Sequence, residues 1–227
     1  MVLPLHVTTS NVRRVVTIFG AVLALPISAL AAAPSPNAQI WSEADFIGSL
    51  GKSTTLTGIT IGRFGESVPN PTLTAAGLQL DHKIGHWTLG ASYRHQVVRH
   101  STGGPSISQL AIAMATYADT FGRSTIAIRA RVDNTLHSSG NPWRFRIRGE
   151  YRWATPKAGQ VSYLFINDEF FYQGSASEWS RTRAQAGMNL KFGRRTDLLL
   201  YYQYQYDKLS SPAAINALGL TLKVNLE

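Results

Sequence analysis

Arginine recurs at every second position in several short stretches of this chain, and that spacing decides what chemistry the guanidinium groups can do. Residues 143–153 read Trp-Arg-Phe-Arg-Ile-Arg-Gly-Glu-Tyr-Arg-Trp, so Arg144, Arg146, Arg148 and Arg152 share one parity with Glu150. Arg129 and Arg131 share theirs with Asp133, Arg181 shares its own with Arg183, and Arg94 lies on the polar side of its stretch. Together with Glu169, these positions define a candidate polar network of Arg129, Arg131, Arg144, Arg146, Arg148, Glu150, Arg152, Glu169, Arg181 and Arg183. Two kinds of chemistry are open to it. Arginines matched by carboxylates would fill a narrow interior with ion pairs, since a buried guanidinium needs a partner. Counted on these faces, however, nine arginines oppose Asp133, Glu150 and Glu169. That excess would leave a positive interior that attracts phosphates, acidic sugars or other small anions.

Other chemistry finds little support. Asp168 and Glu169 are adjacent, so in an extended chain they point to opposite faces and cannot share one substrate bond. If Glu169 joins the arginines, Asp168 must face outward, at an outer rim where a carboxylate costs little or beside a β-bulge. His82 and His86 are four apart around an expected turn, which lacks the helical geometry of a metal pair; His95 has outward parity, and His100 and His137 fall in loops. The chain has no Cys, which excludes a disulfide framework, a thiolate metal site and a thiol nucleophile. It also lacks a Gly-x-Ser-x-Gly elbow, a phosphate loop and a dinucleotide fingerprint. No catalytic, metal or cofactor-binding residue is assigned, and no cofactor is expected. An enzyme with dispersed catalytic residues, acting on lipid or peptide, stays open as a third reading.

Only a β-strand can hold such residues, because only strand geometry separates Arg144, Arg146, Arg148 and Arg152 from Trp143, Phe145, Ile147, Tyr151 and Trp153. Four arginines facing hydrocarbon would cost roughly 2–4 kcal/mol each near a bilayer midplane, so the aromatic set must face the apolar side. Trp143 and Trp153 lie ten residues apart. At ~3.3 Å per residue and a tilt near 40° the strand climbs roughly 25 Å between them, the height of an outer-membrane barrel's apolar band. Trp143, Trp153, Tyr202, Tyr204 and Tyr206 are read as its aromatic belt.

The same alternation predicts strands near 86–98, 107–118, 123–133, 143–153, 161–172, 179–192, 197–207 and 215–226, with earlier candidates at 38–48, 54–64 and 72–82. Short links such as 192–195 and 119–122 alternate with longer ones such as 99–106 and 133–142, as periplasmic turns alternate with extracellular loops. The count is eleven. Single-chain bacterial barrels carry an even number, so the expectation is ten or twelve, with 38–48 short of a full span or two strands merged elsewhere. The fold class is therefore all-β: a transmembrane antiparallel up-and-down β-barrel of ten or twelve strands after an N-terminal signal peptide.

Composition agrees. Charged residues are 15% of the chain and hydrophobic ones 44%, too few charges for the wet outer face of a soluble sandwich. Arg13 and Arg14, the apolar run from Val15 to Leu25, Pro26 and Ala29-Leu30-Ala31 have the layout of a signal peptide cleaved after Ala31, against the alternative of an uncleaved helix anchor. The expected domains are residues 1–31 as signal peptide, 32–37 as a short segment and 38–227 as barrel. Loss of Arg13 and Arg14 leaves a net charge of +7. Export and the interleaving of its charges argue against nucleic acid as the partner.

Residues and pattern together resemble an outer-membrane β-barrel family of Gram-negative bacteria catalogued as a domain of unknown function (number 2490). The matching pieces are Trp41, Arg146-x-Arg148-x-Glu150-Tyr151, Asn167-Asp168-Glu169-Phe170-Phe171, and Arg181-x-Arg183 running on through Gly187 and Leu190, over about residues 37 to 227. The resemblance implies the fold and an outer-membrane address, with outer-membrane lipid including lipopolysaccharide and the barrel-assembly machinery as partners, and implies no catalytic residues. One departure is the ending Asn225-Leu226-Glu227, where such barrels commonly end on an aromatic residue. The arginine tracks are also similar in pattern to those of narrow porins for acidic oligosaccharides. Three functions are expected: a narrow channel admitting small anions or acidic sugars, a plugged structural or surface-interaction barrel of the envelope, or a barrel enzyme on lipid or peptide.

Overall fold

Side chains that alternate between apolar and polar cannot bury one face in a helix, and the chain resolves this by pairing every strand with two neighbours. A computed structural model describes residues 37–65, 71–99, 104–136, 142–156, 159–210 and 213–226. They form eleven strands: β1 (Ala38–Ser49), β2 (Thr54–Phe64), β3 (Pro71–Ile84), β4 (Trp87–Val98), β5 (Ser106–Phe121), β6 (Ser124–Leu136), β7 (Trp143–Ala154), β8 (Val161–Gln173), β9 (Glu178–Phe192), β10 (Thr196–Asp207) and β11 (Ala214–Asn225). Each pairs antiparallel with its sequence neighbours, and β1 pairs with β11 to close the barrel. The expected signal peptide at residues 1–31 lies outside the described residues, as do His100 and His137.

The strand number corrects the expectation of ten or twelve. The first candidate is a complete strand of twelve residues and no two strands are merged, so the count of eleven stands. An odd number of alternating strands leaves the first and last pointing the same way. Closure is therefore parallel, with Ala38 to Ile47 running beside Asn216 to Asn225, and the antiparallel up-and-down pattern has this single exception. The two open ends differ. Consecutive strands are separated at one end by residues 50–53, 85–86, 122–123, 155–160 and 193–195, and at the other by 65–70, 99–105, 137–142, 174–177 and 208–213. Gly85, Gly122 and Gly193 adopt positive φ of 59°, 59° and 72°, the left-handed conformation that two- and three-residue hairpins need and that glycine takes without steric cost. The first end is the short-turn end and the second the long-loop end.

Register fixes the faces. Ile126, Ile128 and Val132 on β6, Ile147 and Tyr151 on β7, Leu164, Ile166 and Phe170 on β8, and Leu200 and Tyr202 on β10 are exposed on the outer wall. Trp87 packs edge-on against Tyr117 near the short-turn end, while Trp143 and Trp179 flank Tyr172 at the long-loop end. The core is the lumen itself, where Trp41, Ile59, Ile112, Phe165 and Phe171 are buried among charged groups.

Asp168 departs from expectation. It faces outward as parity demands, but it sits mid-strand between Ile166 and Phe170, opposite Gly149 on β7 and Ala184 on β9, and not at a rim. The β8–β9 register is irregular at two places, at Ser162 between Val161 and Tyr163 and at Ser180 opposite the Phe171–Tyr172 step, and both lie too far from Asp168 to turn it inward. Its two small neighbours leave the carboxylate in a notch of the wall.

Candidate functional site

Inward parity on β6 to β9 brings the arginine tracks into one network. Glu169 on β8 is its centre, 2% exposed, and accepts from Arg146 at 2.7 Å, Arg129 at 2.9 Å and Arg183 at 3.4 Å. Directly across the β7–β8 pair from Glu169 stands Arg148, which instead turns along its own strand to Glu150 at 3.0 Å. Arg152 also bonds to Glu150. Asp133 on β6 takes Arg131 from its own strand and Arg146 at 3.2 Å from β7. Arg146 thereby bridges two carboxylates through separate nitrogens, Nη1 to Asp133 and Nη2 to Glu169, as the planar fork of a guanidinium allows. Arg181 donates through Nε to Asp207 at 2.7 Å at the long-loop end of β10.

Aromatic rings share this space. Arg63 on β2 lies 3.8 Å above the Trp41 ring, Arg146 lies 4.5 Å from that of Phe171, and Arg183 lies 4.9 Å from both. The positive edge of a guanidinium over a π face is favourable even where no carboxylate is available. Arg183 also donates to Gln205 Oε1 at 2.8 Å, and Asn167, Gln185 and Gln203 continue the network as an amide ladder with links of 3.0 and 2.7 Å. Tyr201 lies over Gly219, where a Cβ would stand 2.1 Å from its ring, so glycine is needed for that ring to enter the lumen.

Beside the network is a cavity of about 660 Å³. Among the described residues its lining carries ten arginines and Lys223 against six carboxylates. The excess is smaller than nine against three, because Glu43 and Asp45 on β1 and Asp81 on β3 also face inward. A second cavity of about 310 Å³ shares Gln96, Val98, Leu110, Asp133, Thr135 and Arg144 with the first and opens towards the long-loop end at Pro142 and Trp143. Of the expected network, Arg129, Arg131, Arg146, Arg148, Glu150, Arg152, Glu169, Arg181 and Arg183 are in ion pairs. Arg144 is not; its Nε donates to Gln173 at 3.1 Å.

Sequence reasoning did not single out Arg63, Glu43, Asp45, Asp81 or Asp207. On β2 the inward set of Thr57, Ile59, Ile61 and Arg63 is half apolar, so alternation there does not separate inside from outside. The available signal for Glu43 and Asp45 was their shared parity with Trp41. Of the belt, Trp143 and Trp153 lie outward at opposite ends of β7, and Tyr202, Tyr204 and Tyr206 outward on the long-loop half of β10. His82 lies outward, 2.8 Å from Thr54, His86 is 3.5 Å from Asp119, and His95 is exposed on the outer wall. No group of three metal-ligating side chains occurs among the described residues.

A family model described as "Protein of unknown function (DUF2490)" matches residues 38–216. No curated protein matches the chain. Among solved structures, an anion-selective porin from Comamonas acidovorans is similar at a TM-score of 0.40 and 11% identity, over 78% of this chain and 54% of the porin, so the chain spans about half that protein's length.

Proposed function

The chain belongs to the family described as a protein of unknown function (DUF2490), and from that premise we propose that it is an outer-membrane β-barrel of a Gram-negative bacterium whose lumen admits small anions or acidic sugars. The observation that carries this reading is the charge of the cavity wall, ten arginines and a lysine against six carboxylates around about 660 Å³. Low-dielectric walls focus such a field and raise the local concentration of anions. The volume suits a small solute and excludes a large ferried ligand.

The membrane assignment rests on the outer wall, where aliphatic side chains occupy the middle and Trp87, Trp153, Trp143 and Trp179 stand towards the two ends. Export by a cleaved signal peptide, contact with lipopolysaccharide and insertion by the barrel-assembly machinery follow from that address. The test is conductance of the refolded chain in planar bilayers under a salt gradient. Discrete conductance with a reversal potential of anion sign is expected; silence, or a cation-selective reversal potential, would overturn the channel reading.

A second reading, a plugged structural barrel of the envelope, draws on the stacking of Arg183 between Trp41 and Phe171 and on the ion pairs of seven lumen arginines. It predicts a silent bilayer together with an envelope-permeability defect on deletion. An enzyme acting on lipid or peptide is supported by no described constellation.

A further inference from the structure

The cavity wall holds charges of both signs that are not spent on each other. Glu43, Asp45 and Asp81 have no cation within 4.0 Å among the described residues, and Arg63, Arg94 and Arg144 have no carboxylate within that distance. Asp45 Oδ1, Arg63 Nε and Arg94 Nε are buried without any hydrogen-bond partner. Unpaired buried ions are costly, and opposite charges sharing one cavity would close on each other if the wall allowed it.

The wall limits this for the arginines, while Lys223, which lines the same cavity and stands beside Asp45 across the β1–β11 seam, makes no ion pair with it. Asp45, Ile59, Gly77 and Arg94 form one row across β1 to β4, so Asp45 and Arg94 start three strands apart, and Arg94 has already spent its stem crossing Gly77. Arg63 Cζ lies 3.8 Å from the centre of the Trp41 ring, and Trp41 is two residues before Glu43 on the same inner face. A simple anion satisfies the arginines and is repelled by Glu43 and Asp45. A solute with both charges satisfies both sets, and opposed charges across a site are what select for it.

We propose that this cavity binds small zwitterions, with the ammonium group against Glu43 and Asp45 and the carboxylate against Arg63 and Arg94. The proposal rests on the reading of the lumen as open to small solutes and extends that reading from anions to solutes that carry an ammonium group beside the carboxylate. Its test is calorimetric titration of the detergent-refolded full chain with glycine, 4-aminobutyrate and 6-aminohexanoate, each against the carboxylate lacking its amine: acetate, butyrate and hexanoate. At least one zwitterion is expected to bind about tenfold or more tighter than its matched carboxylate. In the Glu43→Gln, Asp45→Asn double variant that advantage is expected to fall to twofold or less, while the carboxylate binds no more weakly than before. Equal affinities across every pair in the unaltered chain would overturn the proposal, as would an advantage that survives in the variant. Anion-selective conductance with equal affinities defeats this proposal alone, whereas a silent bilayer with the binding advantage intact defeats the channel alone.

Discussion

Arg146 donates to Glu169 at 2.7 Å across the β7–β8 pair, although the residue standing directly opposite Glu169 in that register is Arg148. The diagonal choice leaves Arg148 for Glu150 and lets one guanidinium join Glu169 to Asp133. Removing the shared carboxylate takes an ion-pair partner from three arginines at once, leaving Arg146 with Asp133 alone and Arg129 and Arg183 with no carboxylate among the described residues. Glu169→Ala is therefore expected to lower the unfolding free energy by about 3–5 kcal/mol, the usual cost of breaking a buried pair. Glu43→Gln, which breaks no ion pair, is expected to cost about 1 kcal/mol or less. Urea titration of both variants in one lipid system checks the contrast; equal losses would remove Glu169 from the centre of the network.

Arg63 and Arg94 carry charge without carrying ion pairs, so their influence is expected in conduction more than in folding. The Arg63→Gln, Arg94→Gln double variant is expected to lower the chloride-over-potassium permeability ratio about twofold or more, as expected when two charges are removed from a focused field. Reversal potentials under a salt gradient measure this. An unchanged ratio would mean that permeating ions do not pass these side chains.

The outward carboxylate of Asp168 gives a prediction of opposite sign. A charge facing hydrocarbon at mid-strand is unfavourable, though less so for Asp than for Arg or Lys. Asp168→Leu is expected to stabilise the barrel in lipid by about 1–2 kcal/mol and to change its stability little in detergent solutions that wet the wall. Loss of stability in lipid would show that Asp168 meets a cationic group there.

Gly219 and Tyr201 give a packing test. A Cβ at Gly219 would stand 2.1 Å from the Tyr201 ring, so Gly219→Ala is expected to cost about 1–3 kcal/mol as overpacking. Adding Tyr201→Ala should remove most of that penalty, leaving the cost of the lost ring. A double-mutant cycle with no coupling would mean that the ring has another place to go.

Much of this architecture was legible in the alternation of side chains. The Arg144 to Arg152 track and, in the strand expected near 215–226, the alternation of Leu218, Leu220, Leu222 and Val224 with Thr221 and Lys223 each show one polar and one apolar parity, and both fall in full strands with the polar face towards the lumen. Where the inner face is itself half apolar, as at Ile59 and Ile61, the signal fails and Arg63 goes unseen. Ion-pair partners were illegible for another reason. Asp133, Glu150 and Glu169 could each reach several arginines, and the choice among them follows from barrel curvature and the diagonal reach of long side chains. Eleven alternating stretches give eleven strands, and the even strand number of other single-chain barrels does not hold for this chain.

The parallel seam between β1 and β11 carries a consequence for biogenesis. Ala38 lies at the long-loop mouth and Asn225 at the short-turn mouth. In a bilayer these would be different aqueous compartments, so protease sites grafted just before Ala38 and just after Asn225 would be cut from opposite sides. A barrel inserting into a bilayer with this seam would have to carry the leading edge of its first strand across before the last strand could seal against it.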